Sequence, residues 1–258
     1  MKNLVIAVAG NSGSGKTTFC KFLSRSIKEK SVILECDRYH KWERGDKKWE
    51  KFTHLNPVAN NLHQMSKDVK SLTRGNTIYQ INYDHSNGKF TDKEKIESQD
   101  FVIVCGLPSF FHEKEEPYFL KIFMDTAEEL QVPWKMNRDK KKRGYTYIQV
   151  MEEIKRRKKD YDEHVFPQKA MADLSIKFIK NKKNKMSYSL FLEIDNKFDF
   201  QKIQKKFEQQ NIQFELCEKK QKYVLFFENY VEIEEIKIYN NFYDYILFFM
   251  EGLIDGEY

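Results

Sequence analysis

The chain has 258 residues, 40% of them hydrophobic, and a formal net charge of +6. This content is enough to bury a core, and no run approaches the ~20 apolar residues of a membrane span. Its four cysteines lack the spacing of a zinc site or of a disulfide framework. We therefore expect a cytoplasmic globular protein with reduced thiols and no membrane association.

The positive charge is concentrated in one segment. Between Lys135 and Lys159 there are eleven Lys and Arg residues and three acids, so this segment alone carries an excess of eight positive charges. Such a cluster is typical of a nucleic-acid patch, a solvated helix face or a lid that neutralises a transferring phosphate. The phosphate-binding motif described next favours the lid, and we expect no nucleic-acid partner.

The most specific motif runs from Gly10 to Thr17 and reads Gly-Asn-Ser-Gly-Ser-Gly-Lys-Thr. It follows a β-rich run, Leu4 to Ala9, and precedes a helix-compatible segment, Thr18 to Lys28. Glycines let successive N–H groups face phosphate oxygens, Lys16 suits the β- and γ-phosphates, and the Thr17 hydroxyl suits Mg²⁺. The motif predicts a nucleoside triphosphate site. Its predicted members are Gly10, Asn11, Ser12, Gly13, Ser14, Gly15, Lys16, Thr17 and Thr18.

Apolar, β-rich runs recur along the first 180 residues, separated by segments long enough for crossover helices. After Leu4–Ala9 they are Ser31–Leu34, Phe101–Cys105, Leu120–Met124 and Leu174–Ile179. This spacing predicts an α/β fold of the P-loop NTPase type with a doubly wound parallel sheet. Apolar residues at three-and-four spacing also predict a helix over Thr146–His164 that ends before Pro167.

A polar break at Asn181–Lys185 separates a second pattern. The chain then reads as strand, helix, strand, strand and helix, over Ser187–Ile194, Phe198–Gln210, Ile212–Leu216, Tyr223–Phe227 and Tyr239–Gly252. We expect a first domain over residues 1–180 and a small α+β appendage over 186–258. The appendage contains no recognisable motif.

Several further segments carry a joint pattern over roughly residues 3–179. They are Cys36–His40 with Arg44, Thr53–Asn61, Tyr83–Gly88, Trp134–Asp139, Arg143–Gly144, Arg157–Asp162, Pro167–Lys169 and Ala172–Asp173. In this order they resemble the phosphoribulokinase and uridine kinase family, most of all the phosphoribulokinases of plants and cyanobacteria. The resemblance implies an ATP-dependent kinase that moves the γ-phosphoryl of Mg-ATP to a hydroxyl of a small sugar or sugar phosphate.

The resemblance also implies roles for individual residues. Asp37 matches the family's catalytic base, and it would hold the metal together with Thr17. The substrate-binding positions are His40, Arg44, Tyr83, His85 and Lys135. Arg138 and Asp139 join Lys16 in the catalytic set, while Arg143 belongs to the ATP site, because cations there would stabilise charge on the transferring group. The implied cofactors are ATP and Mg²⁺, and the family favours a homodimer over a monomer.

Two features depart from the family pattern. The third strand of the family usually ends in Glu-Gly-Leu, whose acid serves the Mg²⁺ site, but here the chain reads Cys105-Gly106-Leu107. A thiol is a poor substitute for a hard oxygen ligand. Three explanations follow: Asp37, Asp139 or Asp84 carries the metal through water, the enzyme is slow or differently tuned, or the protein is a nucleotide-binding homologue that no longer transfers phosphate. The regulatory cysteine of the plant phosphate loop is replaced by Ser14, so we expect no thioredoxin-type control.

The leading hypothesis is therefore a phosphoribulokinase-like kinase. Alternatives in the same class are a uridine or cytidine kinase and a kinase of an unusual carbohydrate that feeds a surface glycan. A catalytically degenerate nucleotide-binding homologue is the alternative from a different class, and Cys105 is its best support.

Overall fold

The computed structural model of the chain describes residues 3–27, 30–111, 118–183, 187–209, 212–219 and 221–232. In chain order, its helices and strands are β1 (Leu4–Gly10), α1 (Lys16–Ser26), β2 (Ser31–Glu35), α2 (Lys47–Lys51), α3 (Leu62–Thr73), β3 (Ile78–Gln80), β4 (Tyr83–Asp84), β5 (Lys89–Phe90), β6 (Glu94–Ile96), β7 (Phe101–Cys105), β8 (Leu120–Thr126), α4 (Glu128–Arg143), α5 (Tyr147–Asp160), β9 (Leu174–Lys180), β10 (Ser187–Asp195), α6 (Phe200–Gln209), β11 (Glu215–Lys219) and β12 (Lys222–Glu232). All five strands predicted in the first 180 residues are present. None of the helices in the described ranges has the length and hydropathy that a bilayer span requires.

The chain forms two compact units. The first comprises Met1–Met124 and Gln131–Met171, and the second comprises Asp125–Leu130 and Ala172–Tyr258. The division into a first domain over residues 1–180 and an α+β appendage over residues 186–258 stays a prediction.

The first unit contains parallel strands in the order β8-β1-β7-β2. Cys105 at the end of β7 pairs with both Val8 and Glu35, which aligns the carboxyl ends of β1, β7 and β2. Chain segments that follow parallel strands therefore leave the sheet at one edge, where ligands bind in open α/β folds. The phosphate loop and Asp37 both come directly after such strands.

Helices cover both faces of this sheet. Val102 and Val104 pack in a buried cluster with Met65, Val69 and Leu72 of α3. Because neighbouring strand residues point to opposite faces, Cys105 faces the other way, and there it contacts Cys20 of α1. Each fully buried aliphatic side chain contributes about 1.5–3 kcal/mol of transfer free energy. The predicted doubly wound α/β fold is confirmed.

Two predicted helices are shifted or divided. Helix α1 begins at Lys16 because Gly15, with φ +89°, provides the left-handed turn into it. Helix α5 begins after Thr146, whose hydroxyl and the Gln149 side chain form a capping box. It ends at Asp160, and a single π-helical turn, Tyr161–Val165, continues it.

Helix α4 was not predicted from the sequence. Its buried side chains include Lys135 and Asp139, which are charged. Apolar periodicity, the main sequence signal for a helix, is therefore weak here, and Pro133 lies inside the helix.

The second unit contains antiparallel strands in the order β11-β12-β10-β9. Helix α6 buries Phe200, Ile203 and Phe207, and the ring of Phe207 lies 6.0 Å from that of Phe227 on β12. The predicted strand, helix, strand and strand are thus present, with β11 starting three residues later than expected. The predicted helix over Tyr239–Gly252 lies outside the described residues.

Candidate active site

The phosphate loop joins β1 to α1 and has the backbone geometry that its glycines permit. Gly10, at φ +142°, lies so close to the Met124 carbonyl oxygen that a Cβ there would overlap it. The Asn11 carbonyl accepts hydrogen bonds from Lys16 Nζ at 2.6 Å and from the Ser14 N–H at 3.2 Å. Burial lowers the pKa of the Lys16 ammonium. The lysine side chain therefore closes back over the loop.

The two residues that follow Lys16 are exposed to solvent. Thr17 and Thr18 lie in the first turn of α1, and both are exposed. A hydroxyl in this position is free to meet a cation or a phosphate oxygen, as the motif predicts.

Asp37 lies in a single 3-10 turn immediately after β2. Its Oδ1 is 3.3 Å from His40 Nε2, and its Oδ2 is 2.9 Å from His85 Nε2. Burial alone would raise the pKa of the Asp37 carboxyl, but hydrogen bonds from His40 and His85 hold it well below its usual value. Each carboxylate oxygen keeps a second lone pair, so an anionic Asp37 can still accept a proton from a hydroxyl.

Beside Asp37, three rings pack together. The imidazole of His40 stacks on that of His54 with centroids 3.5 Å apart, and Tyr83 meets both rings edge-on. His40 Nδ1 lies 2.8 Å from Asn60 Oδ1. Burial strongly lowers the pKa of His54, which keeps this ring neutral. The sequence assigned no role to His54 or Asn60, although both lie in the Thr53–Asn61 segment.

The β4–β5 hairpin brings His85 and Arg44 to the same place. Arg44 donates from its NH2 group to the His85 carbonyl at 2.9 Å, and its backbone N–H donates to the Gly88 carbonyl. Gly88 has φ +78° and lies directly against the Arg44 side chain. The Arg143 NH2 group lies 3.2 Å from His85 Nδ1. The predicted substrate residues Arg44, Tyr83 and His85 are therefore neighbours.

Helix α4 presents a cluster of charges centred on Asp139, whose side chain is 0% exposed. One carboxylate oxygen lies 2.6 Å from Lys135 Nζ, and the other lies 2.8 Å from Arg138 Nε and 3.4 Å from Arg143. Burial alone would raise the pKa of Asp139, but the hydrogen bonds from Arg138 and Lys135 lower it to about 2. Burial lowers the pKa of Lys135 to about 8 despite its bond to Asp139. Asp139 thus organises the cations, and the Lys135 ammonium is committed to it.

The same helix touches the phosphate loop. Arg138 donates to Ser12 Oγ at 3.1 Å, and Gln131 Nε2 donates to the Ser12 carbonyl at 2.9 Å. Gln131 was not among the predicted site residues, because a single glutamine outside a motif gives no sequence signal. The neighbouring Lys140, Lys141 and Lys142 are exposed, as a solvated charge run should be.

These contacts form one continuous path from the loop to the expected base. In order, its members are Ser12, Arg138, Asp139, Arg143, His85, Asp37 and His40. The path joins residues that lie far apart in the sequence, from Ser12 to Arg143. The phosphate loop, the α4 cations and the Asp37 carboxylate therefore share one site.

Cys105 lies at the sheet edge next to this site and is buried. Its thiol contacts Cys20, and the nearby Cys36 Sγ is 2.6 Å from where a Cβ on Gly106 would lie. Burial raises the pKa of Cys20 and of Cys36, so both remain thiols. All three cysteines are free.

Of the four candidate oxygen ligands for Mg²⁺, Thr17 and Asp37 are accessible, whereas Asp139 and Asp84 are held by other groups. The carboxylate of Asp139 is enclosed by three cations, and Asp84 accepts hydrogen bonds from the backbone and hydroxyl of Ser86 in its turn. The Thr17 hydroxyl is exposed, and the Asp37 side chain is 31% exposed. A carboxylate and a hydroxyl fit Mg²⁺, which takes few protein ligands and completes its shell with water and phosphate oxygens.

Comparison with known proteins places the chain in a family. Residues 5–185 match the model of the phosphoribulokinase / uridine kinase family. The chain is 34% identical over 190 residues to the phosphoribulokinase of Synechocystis sp., covering 71% of this chain and 57% of that protein. It is 34% identical over 179 residues to the uridine kinase of Borrelia duttonii, covering 67% of this chain and 85% of that protein.

The fold has a solved counterpart. The structure of the phosphoribulokinase from Rhodobacter spheroides matches with a TM-score of 0.69 and 19% identity, covering 100% of this chain and 99% of that one. The chain spans about half the length of the phosphoribulokinases it matches in sequence, 57% for Synechocystis and 49% for Spinacia oleracea. With the family model covering more than half of its residues, the chain belongs to the phosphoribulokinase / uridine kinase family.

Proposed function

We propose that this protein is an ATP-dependent kinase that transfers the γ-phosphoryl group of Mg-ATP to a hydroxyl of a small sugar or sugar phosphate. The observation that carries the proposal is the continuous path of polar contacts between the phosphate loop and Asp37. Phosphoryl transfer requires a binding loop for the donor phosphates, a proton acceptor and neutralising cations within one site, and this path connects all three.

Different residues of the site have different roles in the transfer reaction. The acceptor hydroxyl gives its proton to Asp37 while its oxygen bonds to the γ-phosphorus, and the bond from that phosphorus to the β–γ bridging oxygen breaks, which leaves ADP. Lys16 and the loop N–H groups hold the phosphates of the donor. Arg138 and Arg143, oriented by Asp139, face the charge on the transferring group.

Thr17 and Asp37 would hold the magnesium ion. When bound, the ion neutralises charge on the β- and γ-phosphates and so supports transfer. Asp37 would also bind the acceptor hydroxyl whose proton it takes.

The surroundings of Asp37 favour an acceptor that carries its own phosphate. Arg44 and Arg143 both contact His85, which bonds to Asp37, and all three residues are partly exposed, which suits an anionic group. By contrast, the rings of His40, His54 and Tyr83 are buried against one another and offer no free face on which a nucleobase could stack. We therefore favour a sugar phosphate over a nucleoside.

Two other functions have specific support. A uridine or cytidine kinase is favoured by the likeness to the Borrelia uridine kinase. A nucleotide-binding homologue without transfer activity is favoured by Cys105, because the family's acid is missing there.

The decisive experiment supplies the purified protein with Mg-ATP and a panel of acceptors, including ribulose 5-phosphate, free pentoses, other pentose phosphates, heptose phosphates, uridine and cytidine. Product mass and ADP are followed, with Lys16→Ala and Asp37→Asn as inactive controls whose fold is checked by thermal unfolding. Transfer to a phosphorylated sugar, lost in both variants, supports the proposal. Transfer to uridine alone, or tight ATP binding with no transfer at all, overturns it in favour of one of the two alternatives.

A further inference from the structure

The phosphate loop must turn its N–H groups toward the nucleotide, and its carbonyl groups then point away and need partners of their own. Within the loop, the Asn11 carbonyl is paired with Lys16 Nζ and the Ser14 N–H. The next carbonyl, that of Ser12, is paired instead with Gln131 Nε2 at 2.9 Å. This donor comes from α4, more than a hundred residues away in sequence.

Helix α4 packs against the loop at this point. Gln131, Lys135 and Arg138 are spaced four and three residues apart, which places them on one helix face. A Cβ on Gly13 would lie 3.0 Å from Lys135 Cβ and 3.6 Å from the Gln131 carbonyl oxygen, so the helix backs the loop closely. Of these three α4 side chains, Gln131 is the uncharged one, and it bonds to the loop backbone itself.

We propose that Gln131 is a positioning residue for the phosphate loop. By holding the Ser12 carbonyl outward, its amide keeps the adjoining N–H groups of the loop directed at the nucleotide phosphates. It acts through Ser12 and touches no substrate. The inference rests on the proposed use of a nucleotide, but not on the identity of the acceptor.

The test replaces Gln131 by methionine, which keeps the length and helix preference of the side chain but cannot donate a hydrogen bond. The matched control is Gln64→Met on α3, which removes a glutamine donor to Asp68 in the same unit. Binding of ADP and of adenosine to the full chain is measured by calorimetry and by competition with a fluorescent ADP analogue. Adenosine serves as the probe that lacks the phosphates held by the loop.

We expect Gln131→Met to weaken ADP binding about tenfold, which is the effect of one lost hydrogen bond. Its adenosine affinity and its midpoint of thermal unfolding should equal those of the control variant Gln64→Met. With ATP as substrate, KM for ATP rises and KM for the acceptor is unchanged. ADP binding within twofold of wild type overturns the proposal, and so does an equal loss of ADP and adenosine binding, which would mark a merely structural role.

If Gln131→Met does not fold, Gln131→Asn takes its place, since the shorter amide stays polar but falls short of the Ser12 carbonyl. The same two outcomes then decide. If the wild-type chain does not bind ADP, both the proposed function and this inference are refuted. If the wild-type chain binds ADP and the Gln131 variants bind it equally well, this inference alone is refuted.

Discussion

His85 Nε2 lies 2.9 Å from Asp37 Oδ2, although the two residues lie in different parts of the sequence, one in a hairpin and the other after a strand of the parallel sheet. The second ring nitrogen of His85 faces the Arg143 guanidinium, which donates to it at 3.2 Å. A neutral imidazole that accepts on Nδ1 must carry its proton on Nε2, so His85 donates to Asp37. The hairpin thus connects the α4 cations to the candidate base.

Replacing the carboxylate of Asp37 should remove most of the activity and leave the fold intact. We expect Asp37→Asn to lower kcat by about 10²- to 10⁴-fold, since an amide cannot accept the proton of the acceptor. Steady-state rates and thermal unfolding provide the measurement. Asp92→Asn, a change at an exposed aspartate, is the control and should behave as wild type. Activity of Asp37→Asn close to that of the control would assign the base elsewhere.

Asp139 should matter for stability more than any exposed acid. Asp139→Asn leaves Lys135 and two arginines without their buried counter-charge, and we expect a loss of about 3–5 kcal/mol in the free energy of unfolding. Denaturant titration measures it. Glu97→Gln, which breaks a solvent-exposed pair with Lys95, should cost far less, because water and salt screen that pair. Equal losses in the two variants would contradict the role given to the cluster.

The same carboxylate predicts a pH dependence. The pKa of Asp139 is about 2 in the folded chain and lies below its usual value of 3.8. The stability it contributes is therefore fully present above about pH 5 and is lost as the pH falls through 4 toward 2. Unfolding titrations at pH 7 and pH 3 should show wild type and Asp139→Asn converging at the lower pH. A difference between them that stays constant would argue against the lowered pKa.

Gly88 and Gly75 allow the hairpin contact with Arg44 to be tested separately from backbone strain. Both have positive φ, +78° and +82°, but Gly88 lies against Arg44 whereas Gly75 has open space around it. Either change to alanine should cost about 1 kcal/mol of stability from the backbone alone. Only Gly88→Ala should also displace Arg44 and raise KM for the acceptor. The experiment compares unfolding midpoints and KM values, and matching KM values would exclude Arg44 from acceptor binding.

Cys105 gives a prediction about the metal. Cys105→Ser should keep activity within about threefold, because we do not expect the thiol to be a ligand of Mg²⁺. Cys105→Glu restores the family's acid at the sheet edge and should lower the Mg²⁺ concentration needed for half-maximal activity about tenfold, the equivalent of ~1.4 kcal/mol. Magnesium titrations of both variants test this. A large rise in the Mg²⁺ requirement of Cys105→Ser would show instead that the sulfur is needed.

The thiols predict an absence of redox control. Cys20 and Cys36 are buried and their pKa values are raised, so neither supplies the thiolate that disulfide exchange requires. We expect equal activity before and after dithiothreitol treatment. The assay is best run on Cys217→Ser, because Cys217 is exposed and can link separate chains. A reversible gain of activity on reduction would refute the expectation.

Much of this protein was predictable because the signals are local. The glycine spacing of the phosphate loop, the β-rich runs and the apolar spacing of α5 each act within a few positions of the backbone, where sterics and hydrogen bonding decide the conformation. For the same reason the five strands were found within a residue or two of their bounds. The position of Asp37 directly after β2 followed from the strand, and its proposed role came from the resemblance to the family.

The rest depended on contacts between distant segments. Helix α4 escaped prediction because its buried face is charged, and Gln131, His54 and Asn60 have no local signal that separates them from surface polar residues. The sequence by itself determined the phosphate loop, the strands and the residue types available for chemistry. Only the tertiary structure decided which of them meet, since the path from Ser12 through Asp139 to Asp37 exists once the helices, hairpin and sheet edge have packed together.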